Sequence, residues 1–127
     1  MKNTKKKSLK EPKHWSHRFN IKPISANKLW YKNKQMTTDY RKFRENFYDD
    51  LPDRKRKWPF DLEAKLHIEI SVGYGDKRSD VDNCIKGTVD TLQSIFGFND
   101  KYVQSIYVEK EIVKRSDVYL EITVIEE

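Results

Sequence analysis

From Leu62 to Val72 every second residue is apolar: Leu62, Ala64, Leu66, Ile68, Ile70 and Val72 alternate with Glu63, Lys65, His67, Glu69 and Ser71. Successive side chains of an extended strand point to opposite faces, so this period of two predicts a strand with one buried and one polar face. A chain holding such a strand must supply other elements to cover its apolar side. His67 falls on the polar side and has no Cys or His nearby at metal-ligand spacing, so it reads as a surface histidine. Gly73-Tyr74-Gly75-Asp76 then breaks the strand.

The covering elements announce themselves by a different period. Thr37-Thr38-Asp39 offers helix-capping side chains, and Tyr40, Phe43, Phe47, Tyr48 and Leu51 follow at helical spacing until Pro52 stops the run. Arg41, Lys42 and Arg44 lie off that apolar stripe. A second helix is predicted where Ile85, Val89, Leu92 and Phe96 recur, with its start near Ser79 or Asp80 and a stop at Gly97. His17 to Ile21 alternates weakly and predicts a first strand ending at Pro23. The β-branched runs from Val103 to Val113 and from Val118 to Val124 flank a Lys114-Arg115-Ser116-Asp117 turn, which predicts a closing antiparallel hairpin. The order is β-α-β-α-β-β, an α+β fold with a small mixed sheet and two helices.

At 127 residues the chain supports one modest core, so residues 16–127 form a single domain. Residues 1–15, rich in Lys and poor in aliphatics, read as a flexible basic arm. Aromatic residues, 13% of the total, favour a folded chain despite its 36% of charged residues. The net charge of +6 is clustered in Lys5-Lys6-Lys7, Arg54-Lys55-Arg56-Lys57 and Lys77-Arg78. Such clusters suit either a polyanionic partner, by counterion release, or simple solubility. The loop from Lys22 to Lys32, with Asn27, Lys28, Trp30 and Tyr31, is a candidate grip on a sugar-phosphate backbone or a cover for the core edge. A lone cysteine, Cys84, and the lack of a signal-like or membrane-length apolar run predict a soluble protein in a reducing, cytoplasmic compartment, with no membrane partner.

Against this basic background, Ser79 to Asp100 is locally acidic. On a helix, Asp82, Lys86 and Asp90 fall at i, i+4 and i+8 along one face while Ile85, Val89 and Leu92 turn to the core. Asp80 would stand at the helix entrance, and Asp100 follows the terminating glycine on a connection able to fold back. Asp80, Asp82 and Asp100 are short carboxylates of the kind that hold Mg²⁺, with Lys86 placed to meet a phosphate oxygen, a set suited to metal-assisted phosphodiester hydrolysis. The same residues also fit caps, an i,i+4 ion pair and a turn.

The motif Asp80-Val81-Asp82-Asn83-x-x-Lys86-x-x-x-Asp90-x-Leu92, followed by Gly97-x-Asn99-Asp100-x-x-Val103, resembles the signature of the RusA family of Holliday junction resolvases. Pro23-x-Ser25-x-Asn27 is similar to that family's N-terminal loop, and the likeness runs from about residue 17 to 125. The resemblance implies a RusA-like fold and a homodimer that cuts four-way DNA junctions in recombination and repair. It implies Mg²⁺, with Mn²⁺ as a substitute, held by Asp80, Asp82 and Asp100, with Lys86 as catalytic lysine. Asn83, Asp90 and Asn99 then support the site, and Asn27, Lys28, Lys32, Lys77 and Arg78 contact DNA. The chain departs from the pattern at Asn99, where the family has the first Asp of a pair, and its spacing there is one residue shorter; this bears on the metal shell.

Two other readings compete. Pro52-Asp53 with Glu63-Ala64-Lys65 spells the short Pro-Asp…Glu-x-Lys motif of another nuclease superfamily, placing Asp53, Glu63 and Lys65 at its site. A non-catalytic module binding branched or double-stranded DNA would use the basic surface alone.

Overall fold

The computed structural model describes residues 13–127. Its central strand is the alternating run, β2 (Leu66–Tyr74), in which Leu66, Ile68, Ile70 and Val72 are fully buried. The alternation before Leu66 is not strand. The carbonyl of Asp61 accepts from the Ala64 N–H and turns the chain, leaving Leu62 55% exposed.

The other elements are β1 (His14–Phe19), α1 (Thr38–Asp50), α2 (Ile85–Phe96), β3 (Val103–Ile112) and β4 (Tyr119–Glu126). Residues 1–12 of the expected arm lie outside the described residues. Trp15, assigned by composition to that arm, is a buried strand residue opposite Val124. The first strand therefore starts three residues earlier than its weak alternation suggested.

The sheet order is β1-β4-β2-β3, with β3 parallel to β2 and the other pairs antiparallel. This corrects the expected closing hairpin, because β2 lies between β3 and β4. The burial patterns give the reason. Leu120, Ile122 and Val124 of β4 are fully buried and take an inner position, while most of β3 is exposed and suits an edge. The β2-α2-β3 unit is a parallel crossover, which requires a helix to carry the chain back along the sheet.

Both helices cover one face of the sheet. Tyr40, Phe43 and Phe47 of α1 and Val89 and Leu92 of α2 are buried there, with the Phe47 ring stacked on Phe19 at 4.0 Å. The Thr37 hydroxyl accepts from the Tyr40 N–H at 3.0 Å, the cap the sequence predicts. Tyr48, expected in the apolar stripe, is 43% exposed beneath the Arg56 guanidinium. His67 is on the polar face, bonded to Ser105 and Glu127. No helix among the described residues is long and apolar enough to cross a membrane.

Candidate active site

Past the end of β2 the chain does not enter a helix at Ser79 or Asp80. Instead the Asp80 carbonyl accepts from the Asn83 N–H at 3.2 Å and the Asp82 carbonyl from the Ile85 N–H at 3.1 Å, a tight turn that delays α2 to Ile85. Contacts from three other segments impose that geometry. The Tyr74 hydroxyl donates to the Asp80 carbonyl at 3.3 Å, the Lys110 ammonium to the Ser79 carbonyl at 2.7 Å, and the Ala26 N–H to the Asn83 carbonyl at 3.0 Å. Asp80 is therefore a turn residue and not the cap of α2.

Three groups around the turn titrate away from their ordinary values. Burial pushes the Tyr74 phenol well upward, helped by Cys84 and the negative charge of Asp82. Burial likewise raises the Cys84 thiol. Asp76 moves the other way: N–H bonds from Arg78 and Ser79, at 2.8 and 3.0 Å, hold its carboxyl below the usual range. Tyr74 thus stays a hydrogen-bond donor, and Asp76 a charged acceptor, at neutral pH.

On this turn the side chains of Asp80 and Asp82 are exposed and form no ion pair among the described residues. Lys86, in the first turn of α2, pairs with Asp90 at 3.1 Å. An exposed i,i+4 pair of this kind contributes roughly 0.3–0.5 kcal/mol, so it leaves the ammonium available to a stronger anion. Asn83, half-buried, ties the turn to the loop that precedes α1.

Asp100 is elsewhere. It follows α2, whose twelve residues span about 18 Å, and it precedes β3 at the end of the sheet marked by the Leu66–Val103 pair. Asp80 and Asp82 follow β2 at the end marked by Tyr74 and Ile112. Metal ligands sit about 2.0–2.6 Å from their ion, so one chain does not unite these three carboxylates. Accordingly, no three Asp, Glu, His or Cys side chains gather to hold a metal among the described residues. The connection after Gly97 does not fold back, because Phe98 is buried and stacked on Trp58 at 5.1 Å while Asn99 caps the next turn through the Lys101 N–H. Asp80 and Asp82 nonetheless form a hard-oxygen pair on one turn, and Mg²⁺ is commonly held by one or two carboxylates plus water and phosphate. That donor set fits the ion.

The remaining candidates are scattered. Asn27 and Lys28 form a 3₁₀ turn, with the Asn27 amide oxygen accepting from Ser25 at 2.8 Å. Its loop presses on α2 where Gly87 has no side chain; a Cβ there would lie 2.6 Å from Ile24 Cγ2. Lys32, Lys77 and Arg78 are exposed. Of the competing trio, Asp53 is exposed and paired with Arg56, while Glu63 and Lys65 are exposed in the turn before β2. The sequence did not single out Tyr74, Asp76, Lys110 or Gly87 as positioning residues. The only local signal was a tyrosine at a buried strand end followed by Gly and Asp.

A model of the endodeoxyribonuclease RusA family matches residues 14–123, spanning β1 to β4. No curated protein matches the chain.

Proposed function

Because the chain belongs to the endodeoxyribonuclease RusA family, we propose that it is a divalent-metal-dependent endonuclease that resolves four-way DNA junctions as a homodimer, in recombination and repair. The observation that carries this reading is the exposed Asp80–Asp82 pair on a turn fixed from three directions, shortly before Lys86 in the first turn of α2. The scattered positions of Asp53 and Glu63 offer no comparable arrangement.

Asp80 and Asp82 would hold Mg²⁺, or Mn²⁺ in its place. The ion supplies, when bound, the positive charge that activates a water and neutralises the phosphate. Lys86 meets the phosphate oxygens as charge builds in the transition state, exchanging its weak pair with Asp90 for a phosphate. Lys28, Lys32, Lys77 and Arg78 hold the backbone on either side and read shape more than sequence, with Asn27 adding a neutral donor. Tyr74 and Lys110 keep the turn from shifting.

Asp100 enters this scheme through the second subunit. Each chain carries Asp80 and Asp82 at one end of the sheet and Asp100 at the other, so a two-fold pair in opposite orientation offers each turn the partner's Asp100. Edge strand β3 joins both ends. It runs from just after Asp100 to Ile112, and its Lys110 holds the Ser79 carbonyl.

The test is cleavage of a synthetic four-way junction against linear duplex, in Mg²⁺ or EDTA. Asp82→Asn and Asp100→Asn should each lose at least about a thousandfold in rate, roughly 4 kcal/mol of transition-state stabilisation, while still binding junctions. Mixing the two variants should restore nicking, because half of the sites in a mixed dimer are intact. Cleavage in EDTA or by Asp82→Asn would overturn the site. Equal cleavage of duplex would leave a nuclease without junction preference, and binding without cleavage by the parent would leave a DNA-binding module.

A further inference from the structure

Beside the Asp80 turn opens a cavity of about 620 Å³, bounded by the loop before α1, by α1 itself, by the end of β2 and by the β3–β4 connection. Ser79 and Asn83 belong both to its wall and to the turn that carries the carboxylates. Lys22 and Lys28 from the loop before α1, Lys42 from α1 and Arg115 from the β3–β4 connection line it, and none forms an ion pair among the described residues. Two carboxylates also line it, Asp39 and Asp76, the latter held by the N–H groups of Arg78 and Ser79, so the four cations leave the lining with a net positive charge. A net positive lining in one concavity favours an anion.

The floor is not that of a simple phosphate site. Ile24, Phe43 and Val118 line it, so the occupant presents an apolar surface as well as charge. A volume of this size is that of a small-molecule site, larger than one phosphate needs. A nucleotide combines both properties, and its base can enter only after leaving the helical stack. Unstacking costs a few kcal/mol in intact duplex and least where a base has already lost a neighbour, as at a branch point.

We propose that this cavity seats one nucleotide unstacked at the branch point next to the cut, with its phosphate on the four cations and its base on the apolar floor. The proposal rests on the nuclease reading above and adds a reason for junction preference: a linear duplex must pay the unstacking cost that a junction has already met.

The experiment places 2-aminopurine singly at each of the positions flanking the cut, in a junction and in the matching duplex, and saturates them with the Asp82→Asn protein. One junction position should brighten severalfold on binding while the duplex stays dark. Lys22→Glu/Lys42→Glu should abolish that signal and, in the otherwise unaltered enzyme, lower the junction-to-duplex cleavage ratio at least tenfold. Arg41→Glu, an exposed charge reversal on α1 outside the cavity, should leave both unchanged. The proposal falls if no position brightens under saturation, if the signal survives the double variant, or if Arg41→Glu erases it equally. A parent protein that cleaves junctions without the signal overturns this inference alone, whereas one that neither binds nor cleaves them overturns the nuclease reading as well.

Discussion

At the start of α2 the backbone is held by hydrogen bonds from three other segments, whereas at its end a local cap and a ring stack do the holding. Ser79, Asp80 and Asn83 take their bonds from Lys110, Tyr74 and Ala26. Asn99, by contrast, caps a turn two residues on, and Phe98 rests on Trp58, which also stacks on Phe96 at 4.5 Å. The first end presents two exposed carboxylates on a fixed frame; the second presents one carboxylate on a connection anchored by apolar packing. Chemistry that needs two oxygens in register gains from a frame fixed at several points, since small misplacements cost rate steeply.

That contrast can be broken from either side. The largest effect on stability belongs to the packed end: Phe98→Ala removes a ring that is 3% exposed and should cost about 3–5 kcal/mol in urea unfolding. A loss below about 1 kcal/mol would mean that the stack does not anchor this connection. At the tied end, Tyr74→Phe deletes one hydrogen bond and should cost only about 1 kcal/mol of stability. Its signature lies in catalysis: the junction cleavage rate should fall about tenfold, or 1.4 kcal/mol, at unchanged junction affinity. An unchanged rate would show that the Asp80 turn keeps its place without Tyr74.

The smallest effect is that of pH on Asp76. Its carboxyl titrates below the usual range in the folded chain, so its contribution is complete above the ordinary carboxylate value and is lost as acidification passes through the lowered one. The amide resonances of Arg78 and Ser79 should therefore move together only at pH below about 4, the ordinary Asp value. Movement centred at or above that value would remove Asp76 from the frame, and Asp76→Asn should flatten the response.

Much of this fold was legible in local pattern. The alternation through Val72 gave β2, the spacing of Tyr40, Phe43 and Phe47 gave α1, and Gly97, with φ of 81°, ends α2 where an αL residue is required. Asp80 and Asp82 were also legible as candidates, because their residue type contradicts the basic chain around them. Tyr74 and Lys110 were not, since a positioning role depends on which carbonyl a side chain reaches.

The sequence by itself determined most of the segments that extend or coil, which faces turn inward, and that a carboxylate pair precedes a lysine. It did so because side-chain periodicity and cap chemistry act within a few residues. Only the tertiary structure decided that β3 pairs with β2 and not with β4, that α2 waits until Ile85, and that Asp100 stands a helix-length from Asp82. Backbone hydrogen-bonding groups are the same in every strand, so a β-rich run names no partner; burial across the whole sheet chooses it. That choice sets the two ends of α2 at opposite ends of the sheet.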